Sequence, residues 1–146
     1  MAAYNKFQKF TDYLNGNVPG QNIDMVGDTI MLMLTNTAPV ATNSKYSDIS
    51  ANELANGNGY TTGGQAMTVT AANATGTETV TGTATTWTAS GALGPFRYVV
   101  MYDSTPSDKP LISWWDNGAS LNLVATQTFS FFPNSSATTG TLFTMV

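Results

Sequence analysis

Apolar residues in this chain recur mostly at alternate positions, in short runs separated by turn-forming residues. The clearest early run is Asp28-Thr29-Ile30-Met31-Leu32-Met33-Leu34-Thr35. Both of its faces are apolar, the pattern of a central strand covered on each side. Phe96-Arg97-Tyr98-Val99-Val100-Met101-Tyr102 is the strongest strand, with Phe96, Tyr98, Val100 and Tyr102 expected on one face. The turn Asp103-Ser104-Thr105-Pro106-Ser107-Asp108-Lys109-Pro110 follows, and Leu111-Ile112-Ser113-Trp114-Trp115 is expected to return antiparallel. Asp116-Asn117-Gly118 then reads as another turn. Gln127 to Phe132 alternates, with Phe129 and Phe131 inward, and Thr141 to Val146 reads as a closing strand. Thr85-Thr86-Trp87-Thr88 continues or begins a core strand. Trp87, Tyr98, Val100, Phe129 and Phe131 are the predicted core.

A helical period occurs once. Tyr4, Phe7, Phe10 and Leu14 share a spacing that predicts about three turns of amphipathic helix over Tyr4 to Leu14, stopped by Asn15-Gly16-Asn17-Val18-Pro19-Gly20. Such a helix either plugs one end of a sheet or serves as an arm that docks on a neighbouring subunit. From Gln65 the strands become thin. Thr77, Thr79, Thr81, Thr83 and Thr85 alternate with Glu78, Val80, Gly82 and Ala84. Neither face carries bulk, which predicts an exposed, edge-like strand or hairpin. A mucin-like disordered tract would want proline, and none lies between Pro39 and Pro95. The whole predicts a single mainly β domain over residues 1–146, an antiparallel β-sandwich or flattened barrel with a short N-terminal helix, residues 1–20 forming that helix or arm.

Between the first strand and the thin ones lies Tyr46 to Gly64, rich in Gly, Asn and Ser yet studded with rings and aliphatic anchors. That is the chemistry of a long ordered surface loop. Within it, Ile49 to Leu54 predicts a helical turn with Ser50 as N-cap and Glu53 at the reciprocal capping position. Gly57-Asn58-Gly59 and Gly63-Gly64 are followed by no Lys-Ser/Thr pair, so they shape a loop and do not cradle a phosphate.

Composition narrows the chemistry. With no His there is no imidazole base or His metal ligand, and with no Cys there is no thiol nucleophile or thiolate zinc site. Paired carboxylates remain: Asp103 with Asp108, or Asp48 with Glu53, for a glycosidase. Asp24 with Asp28, or Asp103, Asp108 and Asp116, are the candidates for calcium, though neither set has the spacing of a calcium loop. Turn and cap roles are the expectation for the two carboxylate pairs. Charged residues make up 10% of the chain, against about 25% in ordinary domains, with a net charge of −4. Lys6, Lys9, Lys45, Arg97 and Lys109 form no phosphate-tracking stripe, so nucleic acid is an unexpected partner. A surface relying on Thr, Ser, Asn and Gly suits a protein covered by neighbours in an assembly. Met1 to Lys6 lacks a signal-peptide core, and no apolar run approaches about 18 residues, so cytoplasmic synthesis and no membrane partner are expected. Asn73-Ala74-Thr75 and Asn134-Ser135-Ser136 match the glycosylation pattern by chance in so Thr-rich a chain. Trp114 and Trp115 point to opposite strand faces, one ring in the core. The other is an interface anchor or a sugar platform, and the anchor is favoured because a sugar cleft also needs flanking acids and amides.

In sequence, the strand Asp28 to Thr35, the loop from Tyr46-Ser47-Asp48-Ile49-Ser50 through Glu53 to Gly59-Tyr60-Thr61-Thr62-Gly63-Gly64-Gln65-Ala66, Thr86-Trp87-Thr88, Arg97 to Tyr102 and Pro110-Leu111-Ile112 are similar to a family of small virion proteins of tailed bacteriophages. In that family a strand like IKVALLT precedes a loop like Y-SDVS-x-EV-x-GTGYTAGG. A TW pair, a strand like ARYAVIY and a PLIG segment follow. The resemblance covers nearly the whole chain. It departs at Met31, Met33 and Met101, and at Ser113-Trp114-Trp115, where the pattern has Gly and smaller residues. It implies a non-enzymatic structural protein, often a capsid decoration or cement protein on the outer face of the major capsid protein's shell, without cofactor or metal. A homo-oligomer, a trimer by lattice symmetry, is the expected state, and the virion exterior its place. The alternatives are a tail, neck or fibre component, or a host-carbohydrate module working through Trp114 or Trp115. The resemblance carries over no catalytic residue; Tyr60, the loop glycines and Trp87 come with it as fold determinants. Candidate capsid or subunit contacts are Tyr4, Phe7, Thr77, Thr79, Thr81, Trp114 and Trp115, in the N-terminal arm, the Thr75 to Thr85 region and the tryptophan pair.

Overall fold

The computed structural model describes residues 4–133 and 139–146. It is mainly β, 49% strand against 9% helix, and every strand pairing is antiparallel. A five-stranded sheet runs in the order β1 (Tyr4–Lys6), β8 (Leu111–Leu123), β7 (Leu93–Asp103), β2 (Ile30–Thr35), β3 (Gln65–Ala66). A three-stranded sheet has the order β10 (Thr139–Met145), β5 (Thr77–Thr83), β4 (Val69–Ala74). The strands β6 (Thr85–Thr88) and β9 (Thr128–Phe131) form a two-stranded ladder. The short helix α1 covers Phe10–Leu14. The sequon Asn134-Ser135-Ser136 lies outside the described residues.

β2 is covered twice, as its pattern predicts. Ile30, Leu32 and Leu34 enter the main core with Val99, Met101, Ile112 and Trp115. Across that core stand Val69, Val80 and Leu142 of the three-stranded sheet, and Trp87, Phe129 and Phe131 of the ladder. Ring pairs join the layers: Trp115 meets Phe131 edge-on at 4.7 Å, and Phe96 meets Phe129 edge-on at 5.0 Å. On its other face the five-stranded sheet carries a second cluster, Phe7, Met33, Val100, Tyr102 and Leu111, capped by Ile49 and Tyr46 of the long loop. Of the predicted core, Trp87, Val100, Phe129 and Phe131 are buried. Tyr98 is half-buried, with the Arg97 guanidinium 5.3 Å from its ring centroid.

Three local expectations fail for identifiable reasons, and a fourth is met by one of its two alternatives. The N-terminal helix is shorter than Tyr4 to Leu14, because Tyr4–Lys6 pairs with Trp115, Trp114 and Ser113 as an edge strand. The rings spaced by three serve different layers: Phe7 belongs to the second cluster and Phe10 to the main core. Phe96 does not share a face with Val100 and Tyr102, since the register shifts between Phe96 and Tyr98 and turns Phe96 into the main core. Asp116-Asn117-Gly118 does not end the strand. β8 bulges there, with Tyr98 opposite Asp116 and Phe96 opposite Leu121, and Gly118 supplies φ +87°. Of the edge-like strand or hairpin expected in the Thr-rich stretch, the hairpin is what forms: β5 pairs with β4 and is the middle strand of its sheet, between β10 and β4.

Val100 is fully buried between Met33 and Trp114 in the sheet register. Val100→Asp places a carboxylate there without a partner and is expected to cost several kcal/mol, enough to unfold a domain of ordinary stability. Urea denaturation checks this; a native-like variant with an unchanged midpoint contradicts the inward assignment.

Candidate functional site

The loop that covers the second cluster is organised by one carboxylate. Thr35 and Glu53 form an antiparallel bridge, the Leu54 amide donates to the Leu34 carbonyl at 2.8 Å, and the Thr35 hydroxyl donates to the Asn52 carbonyl at 2.6 Å. This stitching turns the Glu53 side chain inward. Its Oε1 accepts from the Tyr60 hydroxyl at 2.6 Å and from the Gly63 amide at 2.6 Å, and its Oε2 accepts from the Tyr46 hydroxyl. Tyr60, fully used, also accepts from the Leu34 amide at 3.1 Å. Tyr102 donates to the Gly63 carbonyl at 2.8 Å and stacks on Tyr46 with centroids 4.9 Å apart. Burial, and then the bond to Glu53, raises the Tyr60 and Tyr46 phenols above their ordinary range; Tyr102 is pushed up to about 12 by burial and by the Glu53 charge. All three stay protonated donors at neutral pH. Gly64 is required here: at φ +82° a Cβ would stand 1.8 Å from the Leu32 carbonyl oxygen.

The predicted helical turn over Ile49 to Leu54 is replaced by two 3-10 turns, Tyr46–Asp48 and Ser50–Asn52. Asp48 does the capping: its Oδ2 accepts from the Ser44 amide at 2.8 Å and the Lys45 amide at 3.2 Å, which lowers its pKa. Ser50 caps nothing with its side chain, and Glu53 holds rings instead. Asp48 and Glu53 are therefore both engaged by donors and do not face one another as an acid–base pair.

The other acids separate as well. Asp116 forms a two-pronged ion pair with Arg97, at 2.7 and 2.8 Å, and is lowered by it. Asp108 lies 3.9 Å from the Lys45 ammonium, at the surface. Asp24 accepts from the Gly27 and Val26 amides, which lower its pKa. Asp103 alone is fully buried. One of its oxygens accepts from the Thr105 amide at 2.9 Å, and the carboxyl meets that of Asp28. Burial first, then the bond to and charge of Asp28, raise it to about 7. Among the described residues no three acids gather into a group able to hold a metal ion. The turn and cap roles expected of the paired carboxylates describe Asp48, and Asp103 through the Thr105 amide.

The candidate contact residues divide between interior and surface. Phe7 is wholly buried, its ring 4.5 Å from Trp114, and Trp115 is buried in the main core. Neither is free to meet a partner. Trp114 is half-buried beside Phe7, and Tyr4 is half-buried, edge-on to Trp115 at 5.6 Å. Thr77, Thr79 and Thr81 are half-buried on β5, and the Thr81 hydroxyl is 2.8 Å from that of Thr70. The most open strand is β4, of which only Val69 is buried. Its sequence, Val-Thr-Ala-Ala-Asn-Ala, has no bulky period-two signal to reveal it.

Comparison with protein-family models, with curated proteins and with solved structures finds no match.

Glu53→Ala deletes three charge-assisted bonds and leaves the buried Tyr60 hydroxyl without its acceptor, at an expected cost of about 2–4 kcal/mol. Denaturant titration reads the loss, and amide exchange should show residues 44–64 opening first. Asp103 predicts a pH dependence of the opposite sign to most carboxylates. Its folded pKa of about 7 exceeds the ordinary aspartate value of 3.8. The stability it contributes is therefore complete below the lower value and is lost as pH rises through the higher one. Melting temperature should fall across that window and fall less in Asp103→Asn, whereas the lowered Asp24, Asp48 and Asp116 act only in more acid solution. Identical pH profiles for the two proteins contradict the assignment.

Proposed function

We propose that this chain is a non-enzymatic structural protein of a bacteriophage virion, a cement protein that binds the outer face of the capsid shell and is built as a two-layered β-sandwich. The observation that carries the reading is the use made of the resembling loop. Tyr46, Glu53, Tyr60 and Gly63, among the residues that carry the similarity, meet in one hydrogen-bonded knot, and Gly64 beside them lies against the Leu32 carbonyl. A motif whose members hold each other in place is a motif of fold, and it has no spare group for chemistry. Of the acids elsewhere, Asp48 caps a turn, Asp116 is in an ion pair and Asp103 is buried. Cement action needs only area: a protein seated across the joint between capsid subunits makes that joint costlier to open. Copies at three-fold positions match the lattice symmetry, and repetition turns modest contacts into strong collective reinforcement. The carbohydrate alternative loses support, since Trp115 is interior and Trp114 is half-covered by Phe7.

Heads stripped of this protein are expected to burst at lower temperature and to recover when it is added back. Its copy number in purified particles should run to hundreds, in fixed ratio to the major capsid protein. Equal robustness of stripped and complete heads, or a copy number of a few dozen or less, overturns the cement reading in favour of a tail or neck component.

A further inference from the structure

The hairpin β4–β5 extends past the main core. Val69 is buried, while every residue from Thr70 to Ala74 is exposed. Among the described residues nothing pairs with the outer edge of β4. Natural edges are blunted with proline, charge or bulges, and Thr70-Ala71-Ala72-Asn73-Ala74 has none of these. The ladder fixes which groups are vacant. The two-residue turn Thr75-Gly76, both with positive φ, makes Ala74 and Thr77 a mutually bonded pair. Bonding then alternates back through Ala72–Thr79 and Thr70–Thr81 to Thr68, whose carbonyl accepts from the Thr83 amide at 3.0 Å. The amides and carbonyls of Ala71 and Asn73 therefore face away from β5.

Beneath the same hairpin lies a cavity of about 340 Å³. Leu14, Ile23, Met25, Val80 and Met145 line it, and Ala71 forms its β4 side. Val26 and Met145 at its mouth are among the few large apolar side chains left exposed. Asp24 and Glu78 also border it, and among the described residues neither is in an ion pair. Asp24, held ionised by two backbone amides, is a fixed negative charge. Side chains at 69, 71 and 73 share the face of β4 that looks into this space, because Val69 on that face is in the core. In an added strand, the residue beside Ala71 on the same face would reach the cavity. An aliphatic stem ending in a positive charge fits both the apolar walls and the acidic rim.

We propose that β4 and this cavity form one docking site for an extended segment of a partner protein, which adds a strand antiparallel to β4 and sends a Lys or Arg side chain between Asp24 and Glu78. The backbone edge supplies affinity and the acidic cavity supplies register and choice of sequence. This deepens the assembly reading by naming where and how a capsid subunit is gripped. It moves the contact from the face of β5 to the edge of β4.

The test uses the isolated chain, isotope-labelled for NMR, with the peptide Thr-Val-Thr-Lys-Thr-Val-Thr and its counterpart carrying Glu in place of Lys. The Lys peptide is expected to bind about ten-fold more tightly. It should slow amide exchange at Ala71 and Asn73 and shift the signals of Asp24 and Glu78. Asp24→Asn combined with Glu78→Gln should reduce the preference to within about two-fold. Asn73→Pro should remove binding of both peptides while the amides of Thr70, Ala72 and Ala74 stay protected, showing the hairpin intact. Equal binding of the two peptides, no binding at millimolar concentration, or shifts away from β4 overturn the proposal. So does self-association of the free chain through β4, which would make a second copy the occupant. Peptide capture with no effect on heads leaves the site standing and removes the capsid as partner, so the two readings fail separately.

Discussion

A strand that is apolar on both faces has to be covered twice, and β2 imposes that demand on the rest of the chain. One cover comes from two smaller sheets, whose Trp87, Phe129, Phe131, Val80 and Leu142 meet Leu32 and Leu34. The other has to come from elsewhere, and among the described residues only one short α-helix is on offer. The long loop is recruited instead. A loop is a poor lid unless something fixes it, since ordering each residue costs about 1–2 kcal/mol in backbone entropy. Glu53 provides the fixation with three donors from Tyr46, Tyr60 and Gly63, and Tyr60 and Tyr102 pass the restraint on to the sheet. The knot is thus a consequence of the double burial of β2.

Much of this was legible in the chain. The two-faced strand, the hairpin from Phe96 to Trp115, the inward Phe129 and Phe131 and the opposed faces of Trp114 and Trp115 follow from period-two patterning. What escaped involves positions where one residue spacing satisfies two architectures. Tyr4, Phe7 and Phe10 repeat as a helix would, but they also suit a chain that pairs as a strand, crosses the sheet edge and turns back, giving rings to both layers. The bulges near Phe96 and Asp116 leave no trace in hydrophobic alternation, because their cause is the pairing partner. Glu53 was visible as an acid at a capping distance; its role as an acceptor for tyrosines depends on residues brought together only by the fold.

The acids show the same dependence on context. Asp24 and Asp48 satisfy nearby backbone amides, and Asp116 satisfies an arginine and a backbone amide. Asp103 differs because it sits at the end of a strand whose neighbour delivers Asp28 to the same place. Sequence separation hid this meeting, since these acids are far apart in the chain. The result is one carboxyl whose environment favours the neutral form, whereas Asp24, Asp48 and Asp116 are stabilised as anions.

The pairing of Asn5 with Trp114 closes a loop of 109 residues. Such pairings raise the mean sequence separation of contacts, and chains dominated by them fold in milliseconds to seconds, well behind local structure. The hairpin of β4 and β5, joined by a two-residue turn, belongs to the fast, local kind. A nascent chain therefore presents its bare hairpin edge before the aromatic layers have closed around it. In a cell making many copies at once, that interval is when chains are most apt to pair wrongly with one another, so yield should depend on synthesis rate and temperature more steeply than the finished fold's stability implies.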